Sequence, residues 1–89
     1  MVLSGKIVKG HKTLYDKNMP DACGEAGAAF RDRLEDCLIR LCKDADIPVP
    51  MWLAKNSTEL ARFGRTNFYA EQFAEKVVFD RFEIRIAER

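Results

Sequence analysis

The sequence predicts an α+β fold: a single small domain spanning 1–89 that runs strand, long helix, two shorter helices, strand. Three observations carry this expectation. Apolar residues recur with a helical period from Phe30 to Ala45, they alternate strictly from Phe82 to Ala87, and two prolines, Pro48 and Pro50, separate the long helix from the second half of the chain.

The first strand is expected over Gly5 to Tyr15, where Ile7, Val8, Thr13, Leu14 and Tyr15 favour extended backbone. Lys9, Gly10 and Lys12 break the alternation, so Gly10 is read as a bulge in an irregular edge strand. Asp16 to Gly27, with Asn18, Pro20 and Gly24, then reads as a loop.

A long helix is expected from near Ala26 to near Asp46. Phe30, Leu34, Cys37, Leu38, Leu41 and Ala45 gather on one face, and Asp32, Arg33, Asp36, Arg40 and Lys43 occupy the other. Pro48 drives Ile47 out of helical backbone, and Ile47 to Pro50 becomes a stiff extended connector lying across the core. Asn56 and Glu59 have capping-box spacing, which places a second helix over Ser57 to Phe63, closed by Gly64 in a left-handed turn. Thr66 or Asn67 then caps a third helix through Phe68, Tyr69, Phe73 and Lys76. The last strand is predicted from Val78 to Ala87.

Two strands alone are marginal in water. The terminal strands are therefore expected to pair antiparallel, to pack against the long helix, and to extend along a free edge into a second copy, making a four-stranded sheet across a two-fold axis. A homodimer is the resulting expectation, helped by the limited core of 89 residues.

Composition narrows the class of function. Fifteen basic residues against fourteen acidic leave a net charge of +1, so no global field draws the chain to DNA or an anionic membrane. The start, Met1 to Lys6, has no apolar stretch of signal-peptide length, and no later run approaches the roughly 18 apolar residues of a membrane helix. Three cysteines, Cys23, Cys37 and Cys42, match no disulfide scaffold. Together these point to a soluble cytoplasmic protein with free thiols.

Chemistry is sparse. Three cysteines and the single histidine, His11, lack the close ligand pairs of structural zinc sites, and Cys37 and Cys42 diverge by about 140° around a helix. Neither a metal nor a cofactor is assigned. A thiol enzyme would need His11 to activate Cys23, with no local nucleophile motif in support. The carboxylates lie on a charged helix surface, so no catalytic residue is assigned.

Two binding surfaces remain. Lys55, Arg62 and Arg65, with Thr66 at a helix start, offer cations, a hydroxyl and free amides to an anion or a nucleic acid, with Phe68 and Tyr69 interleaved. Met51 and Trp52 are expected mainly in the core. Ile39 lies on the polar side of the long helix and needs a second neighbour, so these three form the candidate interaction surface. The leading expectation is a non-catalytic, self-associating binding or adaptor module, with a nucleic-acid or phosphate-ligand binder second.

Overall fold

The computed structural model describes residues 2–20 and 30–88. Strands β1 (Val2–Lys9) and β2 (Lys12–Pro20) precede helix α1 (Phe30–Ala45), then come helix α2 (Ala54–Phe63), strand β3 (Arg65–Tyr69), a single 3-10 turn (Ala70–Gln72) and strand β4 (Arg81–Glu88). The strands form one antiparallel sheet in the order β2-β1-β4-β3. The fold is α+β, with two helices where three are expected from sequence.

The two ends of the chain pair as predicted, Leu3 opposite Ile86 and Ile7 opposite Phe82. Each terminal strand also has a second neighbour from its own chain: β2 flanks β1, and β3 flanks β4. The free edges expected to be shared with a second copy are therefore filled internally, and the four-stranded sheet needs no symmetry mate.

The extra strands come from two segments whose local signals point elsewhere. What reads as one strand with a bulge at Gly10 is a hairpin, since Lys9 pairs with Lys12 across a two-residue turn. Gly10 takes φ 59°, the left-handed first position that suits glycine in a tight hairpin turn. The true irregularity lies between Ile7 and Val8, where the register skips Leu14. Asp16 to Pro20, expected as loop, continue β2. The remainder of that expected loop, Cys23, Gly24 and Gly27 included, lies outside the described residues, as does the expected start of the long helix near Ala26.

The expected third helix is β3 and the turn after it. Thr66 and Phe68 are buried while Arg65 and Tyr69 are exposed, a period of two over five residues. So short an alternation is outweighed in sequence by the helix-like spacing of Phe68, Gln72 and Phe73. Thr66 accordingly caps no helix.

Helix α1 lays Leu34, Cys37, Leu38, Leu41 and Cys42 on the sheet. Phe30, expected on that face, is 48% exposed at the first residue of α1. The helix stops where Pro48 demands, with Asp46 left-handed at φ 58° and Ile47 N–H donating to the Cys42 carbonyl at 2.9 Å. Helix α2 ends as expected at Gly64, φ 70°, whose N–H donates to the Leu60 carbonyl at 3.0 Å. Leu3, Ile7, Phe82, Ile84 and Phe68 complete the core from the sheet, and Phe73 and Phe79 close one end edge to face.

Candidate functional site

The helices lie on the same side of the sheet but over different strands. Helix α1 covers β1 and β2, and α2 covers β3. The extended stretch containing Pro48 and Pro50 holds them apart. Among the described residues a trough remains between them, with Ile86 of β4 in its lining and a volume of about 840 Å³.

Its walls are apolar. Phe30, Leu34 and Leu38 come from α1 at helical spacing, and Leu60 and Ala61 come from α2. Val49, Pro50 and Trp52 form the end wall. Polar atoms are few: Arg31 and Glu35 stand one turn apart on the α1 rim, and Ser57 accepts a hydrogen bond from the Trp52 indole N–H at 2.7 Å. The dimensions are those of ligand pockets, which run to about 1,000 Å³ with a mostly apolar lining.

The end wall continues into an apolar ridge of Val49, Met51 and Trp52. Val49 is 51% exposed, Met51 64% and Trp52 36%. The expectation that Met51 and Trp52 sit mainly in the core is thus corrected for Met51, while Trp52 is mostly buried and packs on Phe68 at 5.5 Å between ring centroids. Ile39, 43% exposed, lies one turn beyond Glu35 on α1 and does not line the groove.

Hydrogen bonds anchor the ridge to the rest of the fold. Met51 N–H donates to the Gln72 carbonyl, and Gln72 Nε2 donates back to the Met51 carbonyl at 3.1 Å and to Asn56 Oδ1 at 3.1 Å. Asn56, fully buried, also accepts from the Leu53 N–H at 2.9 Å and donates to Thr66 Oγ1 at 2.8 Å. Its spacing to Glu59 predicts a helix cap; Asn56 instead sits inside the first turn of α2, and Leu53 occupies the cap position. Glu59, the other half of the expected box, accepts from the Thr66 hydroxyl at 2.7 Å.

The four residues of the expected anion site divide. Thr66 is buried with its hydroxyl engaged on both sides, and no helix begins there. Lys55 is exposed on α2 with its ammonium 4.7 Å from the Tyr69 ring centroid. Arg62 and Arg65 are exposed on either side of Gly64, at the end of α2 and the start of β3.

Nucleophile and acid–base chemistry finds little here. His11 is exposed in the β1–β2 turn, and Cys23 lies outside the described residues. Cys37 and Cys42 are buried, and burial pushes the Cys42 thiol up to about 12, far from a thiolate at neutral pH. Tyr15, Asp44 and Lys17 form a polar latch between β2 and α1, with the phenol donating to Asp44 at 2.8 Å. Burial, then the bond to Asp44, holds the Tyr15 phenol above its ordinary range, while that bond and Lys17 hold the Asp44 carboxyl below its own. The latch ties a strand to a helix on the side of α1 away from the groove. Among the described residues no three His, Cys, Asp or Glu side chains come together as metal ligands, and no helix is long and apolar enough to cross a membrane.

Comparison with known protein families, with curated proteins and with solved structures finds no match.

Proposed function

We propose that the chain is a non-catalytic binding module whose α1–α2 groove takes the apolar ridge of a second copy. The carrying observation is that groove and ridge adjoin on one surface. A two-fold interface is isologous, so one patch must be complementary to itself. Here the exposed side chains of Val49 and Met51 rise beside a trough of matching apolar character.

Charge supports the same occupant. Arg31 and Glu35 lie on one rim, one helical turn apart, so two antiparallel copies of α1 bring Arg31 of each against Glu35 of the other. A foreign apolar peptide would use the trough but gives no role to this pair or to the ridge. Burying the ridge also removes a cluster of exposed large apolar side chains of the kind that marks interaction surfaces.

Sedimentation velocity across a micromolar concentration range tests the proposal. A concentration-dependent dimer is expected. Met51→Glu, at a position whose side chain is mostly solvent-exposed, is expected to weaken it at least about tenfold, roughly 1.4 kcal/mol, without lowering the unfolding temperature. Arg31→Glu should weaken the dimer and the combined Arg31→Glu, Glu35→Arg exchange should restore it. A wild-type chain that stays monomeric at high micromolar concentration sinks the proposal.

A further inference from the structure

The face of the sheet opposite the helices carries a second, chemically different surface. Among the described residues no helix packs on it. Register fixes its pattern. In β4, Phe82, Ile84 and Ile86 turn toward the helices, so Arg81, Glu83 and Arg85 face the other way. In β3 the buried pair Thr66 and Phe68 leaves Arg65, Asn67 and Tyr69 on that same open face.

Three rows cross this face, and they are not equivalent. In the middle row Lys6 stands opposite Glu83 on one side and Asp16 on the other, so its charge is met. In the row of Tyr69 and Arg81, the guanidinium donates to Asn67 Oδ1 at 3.0 Å and lies 3.5 Å from Glu83. The remaining row reads Arg65, Arg85, Ser4, Asn18 from edge to edge. It contains no carboxylate. Its two arginines are direct cross-strand partners, both exposed, and neither takes part in an ion pair among the described residues.

Like charges directly opposite in a sheet are destabilising, so the intrinsic effect of this pair on the free protein is unfavourable. An anion lying between the two guanidinium forks reverses the sign, because each fork matches phosphate oxygens geometrically. Beyond the buried Ser4, the exposed Asn18 ends the row with a carboxamide able to donate to a further phosphate oxygen. Across the four strands the row spans about 14 Å, three inter-strand spacings, which is longer than a single phosphate requires. Tyr69, 41% exposed at the end of the edge strand β3, supplies an aromatic ring at the border of this face, with the Lys55 ammonium of α2 over one side of it.

We infer that the open sheet face binds single-stranded nucleic acid, its phosphates seated on the Arg65–Arg85 row and a base against Tyr69. Arginine forks on a flat sheet with an exposed aromatic are the elements that hold a flexible backbone and stack bases without reading sequence. The surface differs from the groove, shares none of the groove's residues and is independent of whether the chain dimerises.

Fluorescence anisotropy with labelled oligouridylate and oligothymidylate, titrated over a range of salt, tests this on the full chain. Binding that weakens steadily with salt is expected. The Arg65→Gln, Arg85→Gln double variant should bind about tenfold more weakly, with a log–log salt slope shallower by about 1.4, the loss of two phosphate contacts on a single strand. Its unfolding temperature should equal or exceed that of the parent, because the repulsive pair is gone; this separates a lost site from a lost fold. A charge-matched control, Lys9→Gln with Lys43→Gln, should bind as the parent does. The inference is overturned if neither oligonucleotide binds at low salt, if control and test variants lose affinity equally, or if only inorganic phosphate or a phosphopeptide is retained.

Discussion

Asn56 uses the whole capacity of a carboxamide with no exposed surface. Its oxygen accepts from Leu53 N–H and Gln72 Nε2, and its nitrogen donates to Thr66 Oγ1 and to the Asn67 carbonyl at 3.1 Å. The four partners belong to the connector, the 3-10 turn and β3, so one side chain sets the position of three segments. Asn56→Ala removes the bonds to the buried Thr66 hydroxyl and Gln72 carboxamide together with two part-buried backbone bonds, and the cost is expected near 3 kcal/mol, lowering the unfolding temperature by roughly 15 °C in a chain of this size. Differential scanning calorimetry checks it; an unchanged transition would mean that the network contributes shape but no stability. The residue types of this network are visible in sequence, but its geometry is not. Asn56 looks like a cap because Asn at a helix start usually is one, and nothing local reveals that Thr66 and Gln72 return to meet it. Met51 illustrates the converse: an apolar residue after two prolines suggests burial, yet its side chain is mostly exposed.

At the scale of elements, α1 sits close to the sheet because β1 carries a glycine beneath it. A Cβ on Gly5 would lie 3.1 Å from both Leu41 methyl carbons and 3.2 Å from the Phe82 ring. Gly5→Ala is therefore expected to destabilise by about 1–3 kcal/mol through overpacking. Leu41→Ala, which alone opens a cavity and costs about 2–5 kcal/mol, should relieve that clash, so the double variant is more stable than the sum of the single changes predicts. Urea titration of the four proteins gives the coupling, and strict additivity would show that the contact is not limiting. Element types with many repeats of their pattern are legible: α1 shows its 3.6-residue period over four turns, and β4 alternates without interruption. β3 is not, since five residues alternate too briefly to compete with aromatics at helical spacing. β2 is hidden for another reason. An edge strand covered on little more than one side, rich in lysine and polar residues, has no strong alternation to read.

Over the whole molecule, the pairing of the chain ends is the legible feature, and it arises because the two segments with β-branched and aromatic character lie near opposite termini. What the ends do not disclose is their place in the sheet. A strand at a terminus is easily taken for an edge, yet β1 and β4 are the two central strands. The hydrogen-bonded connection between the halves of the sheet is thus the β1–β4 ladder, whose strands lie far apart in sequence. Removing 81–89 takes away a strand bonded on both sides, and β3 then has no partner at all. Phe82 and Ile84, both fully buried, leave the core with it. The remaining β1–β2 hairpin has α1 to cover one face, but a two-stranded ribbon carries too little apolar surface to hold a helix in place. The truncated chain is therefore expected to lose cooperative unfolding and near-ultraviolet circular dichroism, and a synthetic peptide of residues 81–89 added in trans should restore part of both, since β1 and β3, the strands that pair with it on either side, remain in the chain. A truncated chain that still melts cooperatively without the peptide would place the folding core in the hairpin and α1, and would remove the β1–β4 ladder from the centre of this architecture.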